Sequence, residues 1–172
     1  AGFREMLLGD EYHKQAVGVF TGNFTEDIGH YVIYPSGTHR MENGQLTYVL
    51  PSSYTYESIE DDANSFNPPM FGRITGTSGT LRHLASFFKI TVSNIPAGGS
   101  DMKLVFTTDK RITGEFTADP LAETPVIVTD NSEGNTVTIN FSNTVAGNTG
   151  TFYIPAPLGT YALITAEILM GD

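Results

Sequence analysis

The sequence predicts an all-β protein, either a sandwich or a barrel, and three observations support this fold class. About ten short apolar runs lie roughly 8–12 residues apart with turn residues between them, which is typical of such folds. Several runs alternate strictly between apolar and polar residues, as a strand with one dry and one wet face does. No repeat period and no helical segment of useful length interrupts the pattern.

The N-terminal third predicts short strands separated by turns and followed by a long loop. Asn43-Gly44 is the strongest hairpin signal in the chain, because this dipeptide readily adopts the turn that joins two paired strands. The predicted strands are residues 17–20, His30–Tyr34 (ended by Pro35) and Gln45–Leu50. Residues 57–72 are acidic, rich in Asn and Pro and without periodicity, and they predict a surface loop; residues 73–80 predict an edge strand or a continuation of that loop.

Residues 81–118 hold three consecutive apolar runs joined by short connections, which predicts an antiparallel meander that needs a covering layer. The first run also fits one face of a helix, but the aromatic and β-branched composition of residues 87–92 favours a strand. The three apolar faces consist of Leu84, Phe88, Ile90 and Val92; of Met102, Leu104 and Phe106; and of Ile112, Gly114, Phe116 and Ala118.

The C-terminal third predicts four further strands. Residues 124–130 are apolar on both faces, which indicates a buried strand. Val137, Ile139 and Phe141 alternate with polar residues and predict the next strand, and residues 151–155 predict another. The last strand covers residues 161–170, and its apolar face consists of Ala162, Ile164, Ala166, Ile168 and Met170.

Composition and charge exclude several functions. The 19 Asp and Glu residues against 9 Lys and Arg give a formal net charge of −10, which argues against nucleic acid or an anionic membrane surface as the main partner. The chain has no cysteine, so disulfide and thiolate chemistry are both absent. The longest apolar run is far too short to span a bilayer.

No set of residues predicts catalysis, so we expect a protein that is not an enzyme and that has no cofactor and no metal site. The four histidines are scattered and form no H-E-x-x-H motif. The acidic stretches 57–62 and 130–134 are two candidates for calcium loops. A solvated surface loop is favoured for both, because the second lacks the closing Glu of an EF-hand and neither shows flanking helices.

Tyrosines are enriched in the N-terminal third, and Tyr54 and Tyr56 are the candidates for facing a glycan. Aromatic rings on a β-sheet can stack on sugar rings while the phenolic hydroxyl forms a hydrogen bond. The competing interpretation, which the high β-propensity of tyrosine favours, is that both are half-buried strand residues.

The succession of several motifs resembles the fimbrillin-like cell-surface proteins of Bacteroidetes over residues 31–168. No single motif is specific; the order of the segments is what indicates the family. The segments are Tyr31-Val32-Ile33-Tyr34-Pro35, Leu50-Pro51-Ser52-Ser53-Tyr54-Thr55-Tyr56, Asn67-Pro68-Pro69-Met70-Phe71-Gly72, residues 83–92 with Asn94-Ile95-Pro96, Ile112-Thr113-Gly114-Glu115-Phe116, Phe152-Tyr153-Ile154-Pro155 and Gly159-Thr160-Tyr161.

This resemblance implies an antiparallel β-sandwich of transthyretin-like topology with long surface loops. The length predicts a single domain over residues 1–172, with an excerpt of a longer, two-domain precursor as the alternative. The resemblance implies that such a precursor carries a lipoprotein signal. The expected location is the cell surface, outer membrane or fimbria of a Gram-negative bacterium.

The function that the resemblance implies is that of a structural or adhesive fimbrial subunit that assembles by strand complementation with other fimbrial subunits or with itself. The strand that carries Ala162, Ile164, Ala166 and Ile168 is the candidate for edge pairing, because an open sheet edge accepts a further strand. The alternative is a carbohydrate-binding module of a surface glycan-capture system, and a host or microbial surface glycan or protein is then the partner.

Overall fold

A computed structural model of the chain describes residues 7–8, 20–21, 30–34, 40–42, 45–56, 69–75, 78–119, 122 and 134–171. Within these residues the protein is all-β, with several antiparallel sheets and no helix. The strands are β1 (Leu7–Leu8), β2 (Phe20–Thr21), β3 (His30–Tyr34), β4 (Arg40–Glu42), β5 (Gln45–Leu50), β6 (Ser53–Tyr56), β7 (Met70–Thr75), β8 (Ser78–Gly79), β9 (Arg82–His83), β10 (Ser86–Ile95), β11 (Gly99–Thr108), β12 (Gly114–Ala118), β13 (Thr136–Asn143), β14 (Asn148–Ala156) and β15 (Ile164–Met170).

The longest strands form a four-stranded sheet, in the order β15-β11-β13-β6, and a two-stranded sheet of β10 and β14. The strands β12-β5-β4 form a third sheet, β3-β7-β8 with β9 form a fourth, and β1 pairs with β2. Every one of these pairs is antiparallel except β13 with β6, which run parallel.

Two clusters of buried apolar side chains hold these sheets together. In the larger core, the ring of Phe88 on β10 lies 5.2 Å from that of Phe106 on β11, and Phe141 on β13 lies 5.2 Å from Phe152 on β14. The apolar faces of the four-stranded and two-stranded sheets are therefore in contact. The smaller core consists of Leu46, Tyr48, Leu50, Phe71, Leu84, Ala85, Phe116 and Ala118.

The predicted strands in residues 81–118 are present as strands, but the predicted meander is wrong. None of the three pairs with another: β10 pairs with β14, β11 with β13 and β15, and β12 with β5. At the connection after β10, Asn143 fixes the chain by donating from its amide to the carbonyls of Ile95 and Pro96, at 3.3 and 2.8 Å. This connection carries the chain from one sheet to another because both strands bury their apolar residues in the same larger core.

The predictions elsewhere have mixed outcomes. His30–Tyr34 and Gln45–Leu50 are confirmed with the predicted bounds, and β5 pairs with β4 across the Asn43-Gly44 signal. The loop predicted for residues 57–72 is wrong at its end, because β7 begins at Met70 and Phe71 is only 1% exposed. The strand predicted for residues 124–130 and the acidic stretch 57–62 lie outside the described residues.

Candidate functional site

The two tyrosines predicted to face a glycan lie in the larger core, and their burial corrects that prediction. Tyr54 is 9% exposed and Tyr56 is 1% exposed, while the alternate residues Ser53 and Thr55 face solvent. Because residues 54 and 56 share one face of β6, both rings turn inward together. The Tyr56 ring lies 5.2 Å from that of Phe152, so neither ring offers a free surface to a sugar.

The hydroxyls of the same tyrosines connect β6 to β14. Tyr54 donates its hydroxyl hydrogen to the carbonyl of Tyr153 at 2.7 Å, and the amide of Tyr153 donates to the hydroxyl oxygen of Tyr56 at 2.7 Å. Both main-chain polar groups of Tyr153 are thereby satisfied by side chains. Burial raises the pKa of the Tyr54 phenol well above its usual range, and the neighbouring Tyr56 raises it further.

The predicted edge-pairing strand does lie at an edge of the four-stranded sheet. β15 pairs with β11, from Met102↔Met170 to Thr108↔Ile164, and no other described strand pairs with it. Ile164, Ala166 and Ile168 belong to β15, whereas Ala162 precedes the strand. The amide of Ala162 donates to the carboxylate of Asp109 at 3.1 Å, which fixes the turn that leads into β15.

The hydrogen bonds at its two ends show which main-chain groups of β15 point away from β11. The amide of Asp109 donates to the carbonyl of Leu163 at 3.1 Å, and the amide of Gly171 donates to the carbonyl of Asp101 at 2.9 Å. In an antiparallel pair these bonds recur at every second residue. The odd-numbered residues therefore bond to β11. The amide and carbonyl groups directed to the open edge belong to Ile164, Ala166, Ile168 and Met170.

On the face of the sheet that packs against the larger core, part of the apolar surface of β15 is exposed. Opposite residues of an antiparallel pair project to the same face, and Met170 and Ala166 lie opposite the fully buried Met102 and Phe106. Ile168 packs against the larger core, whereas Met170 and Ile164 are largely exposed. This part of the sheet therefore presents apolar side chains that no described residue covers.

The described residues contain no candidate metal cluster. They contain no group of three or more His, Cys, Asp or Glu side chains close enough to hold a metal ion. The exposed His83 packs edge-on against the ring of Phe87 at 5.2 Å, and the other predicted calcium stretch, residues 130–134, is described only at Gly134. No helix in the described part of the chain is long and apolar enough to cross a membrane.

Comparisons of this chain with protein-family models, with curated proteins and with solved structures gave no match. The fimbrillin-like resemblance therefore stays a prediction from the order of the sequence motifs.

Proposed function

We propose that this chain is a structural or adhesive cell-surface subunit that assembles by adding a strand of a neighbouring copy to the open edge of β15. The observation that carries the proposal is that one strand combines an open main-chain edge with uncovered apolar side chains. The contact between the two sheets around the larger core supports a β-sandwich as part of this proposal. The transthyretin-like topology and the location at the outer membrane or in fimbriae are part of the same proposal and are supported by the sequence resemblance.

Strand addition uses two kinds of contact that β15 offers. Main-chain hydrogen bonds supply affinity, and alternate side chains supply specificity by filling pockets. The outward amides and carbonyls of β15 can form the first, and its exposed apolar side chains the second. The contrast with Tyr153 on β14, whose main-chain groups bond to the hydroxyls of Tyr54 and Tyr56, supports β15 as the edge that receives a partner.

The charge at the centre of β15 favours an open chain of subunits over a closed pair. If two β15 strands paired antiparallel along their whole length, Ile164 would face Met170 and Glu167 would face Glu167. The two Glu167 carboxylates would then occupy a non-hydrogen-bonded pair, in which opposite side chains lie closer together. Like charges placed directly opposite each other destabilise a sheet. A different donor strand avoids this contact, and head-to-tail contacts of that kind generate filaments when they do not close.

Substituting Ala166 by proline is expected to abolish assembly while the subunit stays folded. Proline removes an outward amide and leaves the hydrogen bonds to β11 intact, because residue 166 does not bond to β11. Association, measured by sedimentation over a range of concentrations, is expected to weaken at least about tenfold, which corresponds to ~1.4 kcal/mol.

Ala166→Val is the matched control, because it enlarges the same side chain and keeps the amide. The wild type and Ala166→Val are expected to form a series of oligomers, and Ala166→Pro is expected to stay monomeric with an unchanged circular dichroism spectrum. A wild type that remains monomeric at every concentration, or the same oligomers from all three proteins, would contradict strand addition at β15.

Replacing Glu167 by threonine is expected to permit the closed pair that the carboxylate disfavours. Removing the like-charge contact contributes about 0.2–1 kcal/mol, which is a roughly 1.4- to fivefold gain in dimer formation. Native mass spectrometry of Glu167→Thr beside Glu115→Thr, an exposed glutamate on β12, measures this gain. An equal dimer fraction in both variants would show that Glu167 does not decide between the two modes.

A further inference from the structure

A solvent-open cavity of about 560 Å³ lies where β5 leads into β6, opposite the connection from β11 to β12. Its volume is within the range of ligand pockets, ~300–1,000 Å³. The cavity lies beside both hydrophobic cores. Leu50, which lines it, belongs to the smaller core, and Ile112, in the connection from β11 to β12, belongs to the larger core. The side chains that matter for binding are those of Leu50, Pro51, Ser52, Ser53, Arg111 and Thr113.

The Arg111 guanidinium in this cavity is held by two contacts, and the space it occupies depends on Gly114. Its Nε donates to the carbonyl of Thr113 at 3.1 Å, and its central carbon lies 4.9 Å from the centre of the Phe116 ring. Gly114 has a φ of 96°, and a Cβ built there would lie 2.7 Å from Nη2 of Arg111. A glycine at this position therefore permits both the left-handed backbone conformation and the close approach of the guanidinium.

The arrangement leaves the two terminal nitrogens of the guanidinium available to a ligand. No carboxylate among the described residues forms an ion pair with Arg111; its contacts are the Thr113 carbonyl and the Phe116 ring. A guanidinium binds a carboxylate through two parallel N–H···O bonds, and its planar geometry suits that group. Because the side chain is already fixed, little side-chain entropy is lost when the carboxylate binds.

The rest of the lining suits a ligand that carries one carboxylate and is otherwise uncharged and rich in hydroxyl groups. Ser52 and Ser53 line the cavity together with Arg111, and Leu50 with Pro51 adds an apolar surface. The amide of Asn140 donates to the Ser53 oxygen at 3.2 Å, which leaves the Ser53 hydroxyl hydrogen for a ligand oxygen. The net charge of −10 disfavours ligands with many negative charges.

We propose that this cavity binds a carboxylated sugar, with the carboxylate on Arg111 and the sugar hydroxyls at Ser52 and Ser53. The apolar C–H face of the sugar ring packs on Leu50 and Pro51. This site is separate from the open edge of β15, so the cavity can bind its ligand in a monomer or in an assembled subunit. It also differs from the tyrosine surface predicted from the sequence, which is buried.

The test is an NMR titration of isotope-labelled protein with D-glucuronate, D-glucose, acetate and a triglutamate peptide. We expect glucuronate to give saturable shifts at residues 50–53 and 111–114, with much weaker effects from the other three. Arg111→Gln is expected to weaken glucuronate binding about tenfold or more, because it removes a charge-assisted bidentate contact. Arg73→Gln, at an exposed position on β7, is the matched control and is expected to leave the affinity unchanged.

A second variant keeps the proposal testable if Arg111→Gln unfolds the protein. Ser52→Tyr fills the cavity from its exposed rim and leaves the guanidinium in place, so it is expected to weaken binding to a similar degree. Unchanged binding in a folded Arg111→Gln or Ser52→Tyr protein would overturn the site. Equal affinity for glucose, acetate or triglutamate would overturn the assignment to a carboxylated sugar. The assembly of the wild type and of Ala166→Pro is measured in a separate experiment. Strand addition at β15 and sugar binding in the cavity can therefore fail independently.

Discussion

Raising the pH from 10 to about 12 is expected to remove roughly 5 kcal/mol of the free energy of unfolding, because two core tyrosines must stay neutral in the folded state. Burial raises the pKa of Tyr48 and Tyr54 well above the value of 10 that applies to an exposed phenol. Their contribution is complete below pH 10 and is lost as the pH rises toward the folded pKa values, since the unfolded chain then releases protons that the folded chain retains. Each tyrosine lowers stability by ~1.4 kcal/mol per pH unit in this window.

This loss is comparable with the whole stability of a typical domain, about 5–15 kcal/mol, so cooperative unfolding is expected near the upper end of the window. Phenolate absorbance and far-ultraviolet circular dichroism, recorded together against pH, measure it. The buried tyrosines are expected to ionise in the same step in which the sheet signal disappears. Ionisation of every tyrosine near pH 10 with the sheet signal intact would contradict their burial.

Tyr48→Phe is the variant that isolates one of the two groups. The Tyr48 hydroxyl donates to the carbonyl of Leu84 at 3.5 Å, which is long for a hydrogen bond, so its removal is expected to cost about 1 kcal/mol or less at neutral pH. Between pH 10 and about 12, the fall in the free energy of unfolding with pH is expected to become shallower by ~1.4 kcal/mol per pH unit. An unchanged slope would show that Tyr48 ionises normally in the folded protein.

The strands could be predicted from the sequence wherever alternation was strong. Val137, Ile139 and Phe141 were predicted to share one face of a strand, and all three are buried on β13. This succeeds because a strand places alternate side chains on opposite faces whatever its partners are. The prediction of a strand for residues 87–92, made from their aromatic and β-branched composition, succeeds for the same local reason.

The pairing of the strands could not be predicted in this way. An alternating strand needs an apolar cover, but the pattern does not specify which strand lies beside it, and adjacent strands in the chain were therefore assigned to a meander. Distant pairs formed instead, such as Lys89↔Tyr153 and Phe116↔Tyr48. The sequence prediction places the edge strand no earlier than residue 73, whereas β7 begins at Met70. A Cβ at Gly72 would clash with the Thr80 carbonyl oxygen, so the close approach of the chain requires glycine.

The candidate sites illustrate the same limit. The face of β15 could be predicted, since it depends on local alternation, and Ile164 and Ile168 lie on the predicted strand. The burial of Tyr54 depends on packing against distant parts of the chain, and its hydroxyl bonds to Tyr153, which is 99 residues away. The Arg111 cavity joins residues 49–53 with residues 111–114 and Gly134, which lie far apart in the sequence and meet because β12 pairs with β5. The only local signal is Gly114, whose positive φ favours glycine.

Phe106→Ala is expected to destabilise the protein by about 3–5 kcal/mol, because it empties a large volume at the centre of the larger core. Phe106 is 0% exposed on β11, which is paired on both sides by β13 and β15. Its ring lies 5.2 Å from that of Phe88, so the cavity would also remove an aromatic contact between two sheets. Unfolding by urea, followed by circular dichroism, measures the free-energy difference.

Phe87→Ala is the control, because it removes the same ring from a side chain that is 37% exposed on β10, and it is expected to cost about 1 kcal/mol or less. Equal losses in the two variants would contradict the assignment of Phe106 to the core. The pair also bears on assembly, since Phe106 lies directly opposite Ala166 and thus supports the strand that receives a partner. The loss of packing at Phe106 is expected to weaken the attachment of β15 to its sheet, and an edge strand accepts a partner only while its own sheet holds it in register. Phe106→Ala is therefore expected to associate less than Phe87→Ala at the same concentration.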